Sequence, residues 1–529
     1  MRMNWKNFGV CSAISSGMLC FAYPSSILAS TIGQPAFLDY MGLLDGTDSI
    51  SPHGNTLIGA FTGIFQAGSV FGVIMAGYVM EKWGRKTAMI VCSVISIISG
   101  AILTASLNPA MFMVFRFFTG LGSWGFLCIN HVTAPVYTSE LAQPEYRGLM
   151  VGMNGVMIGL GYSIASYVGL GFFYSTNVTA QWRGPLGLAL FFPILMLLML
   201  WFIPESPRYL LMARRPEEAW QIVSDLHKIK GDTRAEYART EFFQMQKQVD
   251  IDREMNCSWW EMIRRPSYRK RAVMGATFAF LGQSSGATVI TNYGTIIYRA
   301  LGYGPRDQLI FQCGWISVAI FGNLGGAIAL DYFGRKSLML WAFIGCLVCL
   351  VIEAAMVALY ADTGENKAGL GVAVAATYMF AVFYDPGIDA NSAVFFSEIF
   401  PNHIRPKGAT ICYVVFALTD LVYLQVGPTA FQNIGYRFYI VFIVLMAVAV
   451  VWCWFLVPET KGMPLEEVAA IFGDADEVAV YLRDVHLDPT NDQLVVEHHD
   501  GKGGDSIEKV SELHEHMDRV ESRDAKDAV

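Results

Sequence analysis

"EKWGRK" (81–86) recurs as "DYFGRK" (331–336), 250 residues further along a 529-residue chain. Two more motif pairs keep the same order. "SELAQPEYRG" (139–148) returns as "SEIFPNHIRPKG" (397–408), and "PESPR" (204–208) returns as "PETKG" (458–462). In the second pair a glutamate precedes an arginine by seven residues each time, Glu140 to Arg147 and Glu398 to Arg405. Three matched pairs at offsets of 250 to 258 identify the two halves of the chain as repeats.

The stretches between the motifs are apolar. Only 16% of residues are charged and 54% are hydrophobic, where soluble chains carry about a quarter charged residues. Runs such as "LALFFPILMLLMLWF" (188–202) hold no charge at all. Crossing a bilayer takes roughly 20 apolar residues. Such runs lie near 8–28, 56–80, 87–107, 111–137, 148–172 and 184–203, then near 272–298, 308–330, 337–360, 369–396, 409–431 and 438–457. The expected fold is an all-α polytopic membrane protein with twelve helices in two six-helix halves, 1–204 and 272–460. A cytoplasmic linker with short helices (205–271) joins them, and an acidic tail (461–529) follows. Within the linker "PEEAWQIVSDLHKI" has amphipathic helical spacing. The tail, low in aromatics, is expected to be disordered. The first apolar run has no clear cleavage site and is read as a retained helix.

Lysine and arginine orient the chain. Residues 29–55 contain neither, whereas 204–271 contain fourteen, including "RRPSYRKR" (264–271). Both termini and the linker are therefore expected in the cytoplasm, and the protein in the plasma membrane. The ten cysteines fall in apolar runs or on the cytoplasmic side, so no exterior disulfide framework is expected. "NVT" at 177–179 falls in an outward loop, which makes Asn177 a glycan acceptor candidate. "NCS" at 256–258 faces inward and is read as unmodified. No metal-ligand spacing, nucleotide loop, nucleophile triad or nucleic-acid footprint is visible. The reading is of a non-enzyme without metal or cofactor, in a lipid bilayer.

Every repeated motif lands at the cytoplasmic end of an apolar run. Charges gathered there suit a gate that closes in one state and parts in another, as two halves rock about a central site. The bland alternative, solvated turn residues, fits a single "GRK" better than three matched pairs.

The ordered set "GYVMEKWGRK" (77–86), "RFFTGLGSWG" (116–125), "PVYTSELAQPEYRG" (135–148), "WRGPLG" (182–187), "PESPRYL" (204–210), "LDYFGRK" (330–336), "SEIFPNHIRPKG" and "PETKG" resembles the sugar porter family of the major facilitator superfamily, in its fungal branch. The resemblance covers nearly the whole membrane portion. It implies transport by alternating access, with Arg85, Glu140, Arg147, Arg335, Glu398 and Arg405 as a cytoplasmic charge network. Glu81, Glu205, Arg208, Asp331 and Glu459 join them in the motifs. Glu81 stands where the family usually has Asp.

The family's sugar contacts are largely rewritten. In "GQSSGATVITNY" (282–293) Gln283, Gly286 and Tyr293 are kept, while Gly282, Thr288 and Asn292 replace Gln, Asn and Tyr. Gly155, beside Asn154, takes the place of a Gln, and Ala393 that of a Trp. "FAYP" (21–24) has Pro24 where proton-coupled relatives carry an aspartate.

Acids appear elsewhere instead. "AVFYDPGIDANSAVF" (381–395) holds Asp385 and Asp389 four residues apart, on one face of a helix, and "ALTDLVYLQVGP" (417–428) holds Asp420. An ionised aspartate in mid-membrane is expensive, about 2.5–3.5 kcal/mol on insertion scales. These acids are candidates for proton coupling, together with His131. Asp385 has a second reading: it precedes Pro386-Gly387, a natural helix break, and can cap freed backbone N–H groups. Glu353 is read as structural or as lying at the lipid interface. The candidate substrate contacts are Asn154, Gln283, Thr288, Asn292, Tyr293, Asp385 and Asp389. The ligand expected is a sugar, polyol or similarly hydroxylated small molecule, with proton symport open. The alternatives are a carrier or exporter of another organic metabolite, and a non-transporting nutrient sensor.

Overall fold

A computed structural model describes residues 5–45, 49–141, 147–227, 238–239, 242–243, 245–247, 249, 258–360, 367–401, 404–459, 461, 472, 485–487, 494–500 and 504–509. At 5–7, 131–141, 147–152, 226–227, 327, 331, 367 and 397 and in the tail, the backbone alone is described.

Twelve helices among the described residues are long and apolar enough to cross a bilayer. In chain order spans 1 to 6 are Phe8–Ile32, Pro52–Trp83, Arg85–Thr104, Pro109–Asn130, Met153–Phe173 and Val178–Met199. Spans 7 to 12 are Pro266–Ala300, Pro305–Leu330, Arg335–Tyr360, Ala368–Phe396, Arg405–Ile434 and Arg437–Leu456. Helices are the natural outcome, because a bilayer offers no partner for backbone N–H and C=O groups. Large apolar side chains such as Phe71, Ile74 and Tyr78 stay exposed on one face of span 2, the face that lipid would cover.

The repeated turn has the same conformation twice. Gly84 and Gly334 adopt φ of 93° and 86°, a region that disfavours a Cβ. Spans 3 and 9 begin at the next residue, Arg85 and Arg335. Each new helix start is held by a glutamate from the end of its own half. Glu205 accepts the N–H groups of Arg85 (3.1 Å) and Lys86 (3.3 Å). Glu459 accepts those of Arg335 (2.9 Å) and Lys336 (3.2 Å). A carboxylate at a helix N-terminus also meets the positive end of the helix dipole.

Span 2 packs against span 4 of its own half and span 11 of the other. Gly59 and Gly63 permit the second approach: a Cβ at either would run into Gln425. Span 5 meets span 8, and span 1 meets the second part of span 7.

Two helices depart from expectation. Span 10 is not broken at Pro386-Gly387. It passes from Lys367–Tyr384 through a π-helical turn, Asp385–Asp389, into Ala390–Glu398. The wider turn makes room for the Pro386 ring, and the Ala390 N–H reaches back to the Asp385 carbonyl. The break lies in span 7 instead. There Pro266–Gln283 ends and Ala287–Ala300 begins, joined through Gly286 at φ 86°. The small residues of "QSSGA" let the backbone turn where a Pro was the more obvious breaker.

Beyond the spans, Pro216–His227 is a helix whose Trp220 and Val223 pack with Leu210 and Leu211. In the tail, expected to lack structure, three short strands form an antiparallel sheet: β1 (Val485–Leu487), β2 (Leu494–Asp500) and β3 (Gly504–Lys509). Val495 and Val496, β-branched neighbours, sit at its centre, paired with Lys509 and Glu508.

Candidate transport cavity

Spans 1, 2, 4 and 5 face spans 7, 8, 10 and 11 across a cavity of about 100 Å³. That is several times the roughly 10–15 Å³ that admits one water. The first half contributes Phe21, Gln66, Trp124 and Tyr162. The second contributes Thr288, Asn292, Trp315, Asn323, Tyr384 and the acids Asp385, Asp389 and Asp420. No Lys or Arg is among these lining residues.

The two irregular helices place the polar groups. The turn at Gly286 ends the first part of span 7 at Gln283 and starts the second just before Thr288. The Thr288 Oγ1 then lies 2.7 Å from Gln283 Oε1 and 2.9 Å from Asp420 Oδ1. Gln283 Nε2 donates to the Tyr384 hydroxyl at 3.1 Å. The π turn brings both aspartates of span 10 to the cavity. Asp389 accepts from Asn323 Nδ2 at 3.1 Å. Asp385 is 4% exposed, and its Oδ2 has no hydrogen-bond partner among the described residues. It accepts no backbone N–H there, so the capping role is not what holds it. A buried polar atom without a partner is the usual mark of a place where a ligand or water belongs. The Trp124 indole N–H is likewise unpartnered, with its ring edge-on to Phe21 and near Phe416.

Contacts join the two halves at both ends of the cavity. At the motif end Lys407 Nζ and Glu81 Oε1 stand 3.4 Å apart and join the two halves. At the far end Asn55 bonds Gln432 (3.1 Å), Thr295 bonds the Ala29 carbonyl (3.2 Å) and Arg306 bonds Tyr174 (3.2 Å).

The other expected residues fall as follows. Thr288, Asn292, Asp385 and Asp389 line the cavity, with Gln283 one layer behind Thr288. Tyr293 lies outside the lining, buried between the halves, where it bonds Thr62 and the Leu424 carbonyl (2.5 Å). Asn154 is buried and outside the lining. At the motif end Arg335 makes two bonds to Glu398, at 2.6 and 3.1 Å. Arg405 is buried and reaches the Phe400 carbonyl at 3.4 Å. Arg85 lies over the Tyr209 ring. The side chains of His131, Glu140, Arg147 and Asp331 lie outside the described residues, and Arg208 is half-buried in the short helix after span 6. Glu353 is buried, not at the lipid interface, and accepts the Tyr439 hydroxyl at 3.0 Å. Asn177 is exposed and caps Val178–Leu188 with its side-chain oxygen, which accepts from the Thr179 and Ala180 N–H groups.

Sequence reading missed Gln66, Tyr162, Asn323, Trp315 and Tyr384, each an ordinary residue within an apolar run. It also passed over Arg116, buried in span 4. Arg116 donates to the carbonyls of Pro24 (3.3 Å) and Phe61 (3.5 Å), and its guanidinium lies 4.2 Å from the Phe65 ring centroid.

Two six-span repeats, a polar cavity between them and matched charge motifs at one end define a carrier of the alternating-access type. The chain belongs to the family described as "Sugar (and other) transporter", whose profile matches residues 10–472. Among curated relatives, the MFS-type transporter criB of Aspergillus cristatus is 31% identical over 474 residues, covering 88% of this chain and 93% of that protein. The high-affinity glucose transporter of Kluyveromyces lactis is 26% identical over 478 residues, covering 87% and 84%. Among solved structures, the proton:xylose symporter XylE bound to 6-bromo-6-deoxy-D-glucose superposes with a TM-score of 0.73. The identity there is 20%, and the match covers 89% of this chain and all of that one. XylE in a partially occluded inward-open conformation gives 0.71 at 21% identity, covering 87% and 100%.

Proposed function

We propose that this protein carries a neutral polyhydroxylated small molecule, a sugar or polyol, across the plasma membrane and couples its movement to a proton. The carrying observation is the make-up of the cavity between the halves. Amides (Gln66, Asn292, Asn323) and hydroxyls supply directional donors and acceptors, and Trp124, Trp315 and Phe416 supply flat apolar walls. That mixture suits a ring bearing hydroxyl groups. Three carboxyls facing the same space without a lysine or arginine cannot all be ionised comfortably, which supports a proton as the second passenger. The family membership and the glucose-transporting relative point the same way.

In this reading the motif end is cytoplasmic, as are both termini, by the lysine and arginine distribution. The charged pairs there act as the inner gate, and Asn177 is the outward glycan acceptor. The protein performs no chemistry on its cargo and needs no cofactor. Uptake into proteoliposomes of labelled sugars, polyols and organic acids, with and without a pH gradient, tests the proposal. Accumulation of a sugar or polyol above equilibrium under the gradient is the expected result. Equal accumulation with and without it removes the proton.

A second reading is a carrier for another organic metabolite bearing a cationic group. The three cavity carboxyls favour it, and preferential uptake of such a compound in the same assay would establish it.

A further inference from the structure

Thr288 carries one hydroxyl proton, yet its oxygen sits within hydrogen-bond distance of two acceptors, Gln283 Oε1 at 2.7 Å and Asp420 Oδ1 at 2.9 Å. One proton cannot serve both. Gln283 continues the chain by donating to Tyr384, so the four side chains form one line from a carboxyl to a cavity-lining phenol. Asp420 and Gln283 are both more than nine-tenths buried.

Two limiting patterns give every link a donor and an acceptor, distinguished by whether Asp420 Oδ1 donates or accepts. A proton on the other carboxyl oxygen leaves Oδ1 an acceptor, as in the ionised form. In the first, a protonated Asp420 donates to Thr288, Thr288 donates to the Gln283 oxygen, and the Gln283 amide N–H donates to Tyr384. Tyr384 then keeps its own O–H for something else in the cavity. In the second, Asp420 is ionised and every arrow reverses. Tyr384 donates to the Gln283 oxygen, the rotated amide N–H donates to Thr288, and Thr288 donates to the carboxylate. The heavy atoms barely move, because an amide turned through half a revolution occupies the same shape. The proton lost from Asp420 passes to cavity water. The only chemical difference at the cavity wall is whether Tyr384 has a proton to offer.

We propose that Asp420 is the coupling site of this carrier, and that Thr288 and Gln283 relay its state to Tyr384. Tyr384 offers its hydroxyl proton to a ligand only while Asp420 is protonated. The inference rests on the reading of the chain as a proton-coupled carrier of hydroxylated ligands. It gives the missing acid of span 1, replaced by Pro24, a successor on span 11. The groups facing Asp420 fit this role. Sharing the cavity with it are Asp389, Asp385 and Tyr384 of span 10, and across it Tyr162 of span 5. On its own span is Tyr423, which donates to Ser284 at 3.0 Å. On span 7 only Thr288 touches it among the bonds of the described residues. The neighbouring carboxyls repel a second negative charge, and no neighbour named here is a cation.

The test uses the full chain in lipid nanodiscs and two readouts. Infrared difference spectra across a pH titration should show a protonated-carboxyl band disappearing as pH rises, together with a change in the Gln283 amide bands. The titrating band should vanish in Asp420→Asn and shift in Thr288→Val, and the amide change should be lost in both. Persistence of the wild-type carboxyl band in Asp420→Asn, or an unchanged amide signal in the wild type, overturns the proposal. Binding of D-glucose, D-xylose and sorbitol is followed through quenching of Trp124 and Trp315. Wild-type Kd should weaken by about tenfold per pH unit above the transition, as for one linked proton. Thr288→Val should flatten that slope and Thr288→Ser restore it. A wild-type slope in Thr288→Val sinks the relay. If the wild type binds none of the three probes at any pH, the hydroxylated-ligand reading fails, while the infrared titration still decides the relay.

Discussion

Arg116 Nη1 donates to the carbonyl oxygen of Pro24 at 3.3 Å, so a buried cation rests on the residue that fills the place of an acid in proton-coupled relatives. No carboxylate partners Arg116 among the described residues. Two carbonyls and the face of Phe65 share its charge instead. Arg116→Gln removes the ring contact and at least one charged hydrogen bond. The expected loss is about 2–4 kcal/mol of stability, read as a lower melting temperature in detergent. An unchanged melting temperature would mean that Arg116 holds nothing.

The bridge between Glu81 and Lys407 ties the halves at the motif end, and Glu81 is more than half exposed. An exposed pair contributes up to about 1 kcal/mol, which moves a two-state equilibrium by roughly fivefold. Glu81→Lys should therefore populate a form open at that end. The exchanged pair Glu81→Lys with Lys407→Glu should return it toward the closed form. Spin-label distances across the motif end measure both. Identical distances in all three proteins would remove this contact from the gate.

Gly286 at φ 86° sets the direction in which Thr288 leaves the break in span 7. Gly286→Ala places a Cβ in a left-handed conformation, a strain of about 1–2 kcal/mol, and also presses on Phe442. Uptake should fall several-fold while expression and fold persist, judged by rate against surface-labelled protein. Full uptake would show that the break tolerates any small residue.

On the second-half wall of the cavity Asn323 donates to Asp389 at 3.1 Å. Asp389→Asn keeps an acceptor for it but removes the charge offered to a ligand hydroxyl. Hydrogen bonds to charged groups contribute about 1.5–3 kcal/mol, so ligand affinity should fall roughly 10- to 100-fold, with the thermal stability of the empty protein little altered. Tryptophan quenching measures the first and a melting curve the second.

The twelve spans and their pairing into halves were readable because hydropathy and a duplicated motif are chemical signals carried by composition and order alone. The motif positions were readable for the same reason, but not that Glu205 and Glu459, read as gate charges, accept the first N–H groups of the helices after Gly84 and Gly334. Three cavity acids were readable because charge in an apolar run demands an explanation. The irregular helices were not. Pro386 looks like a breaker, yet a widened turn absorbs it, while the break at Gly286 is written in small residues that also serve helix packing. Tyr293 and Asn154 carry the right chemistry for a ligand, but Tyr293 points into a contact between the halves and Asn154 is buried outside the lining, a matter of rotation that a single sequence does not encode. Arg116 stood inside a recognised motif, but only the packing of span 4 against spans 1 and 2 reveals that its charge is buried.

Glu205 and Glu459 each fasten the last segment of a six-span half to the turn between an earlier pair of spans in that same half. Each repeat is thus buckled to itself at one rim, and no covalent tie to the other repeat is needed to keep its own helices in order. Made as two separate polypeptides in one membrane, divided between spans 6 and 7, the repeats are expected to reassemble around their common cavity, with recovered uptake as the measure.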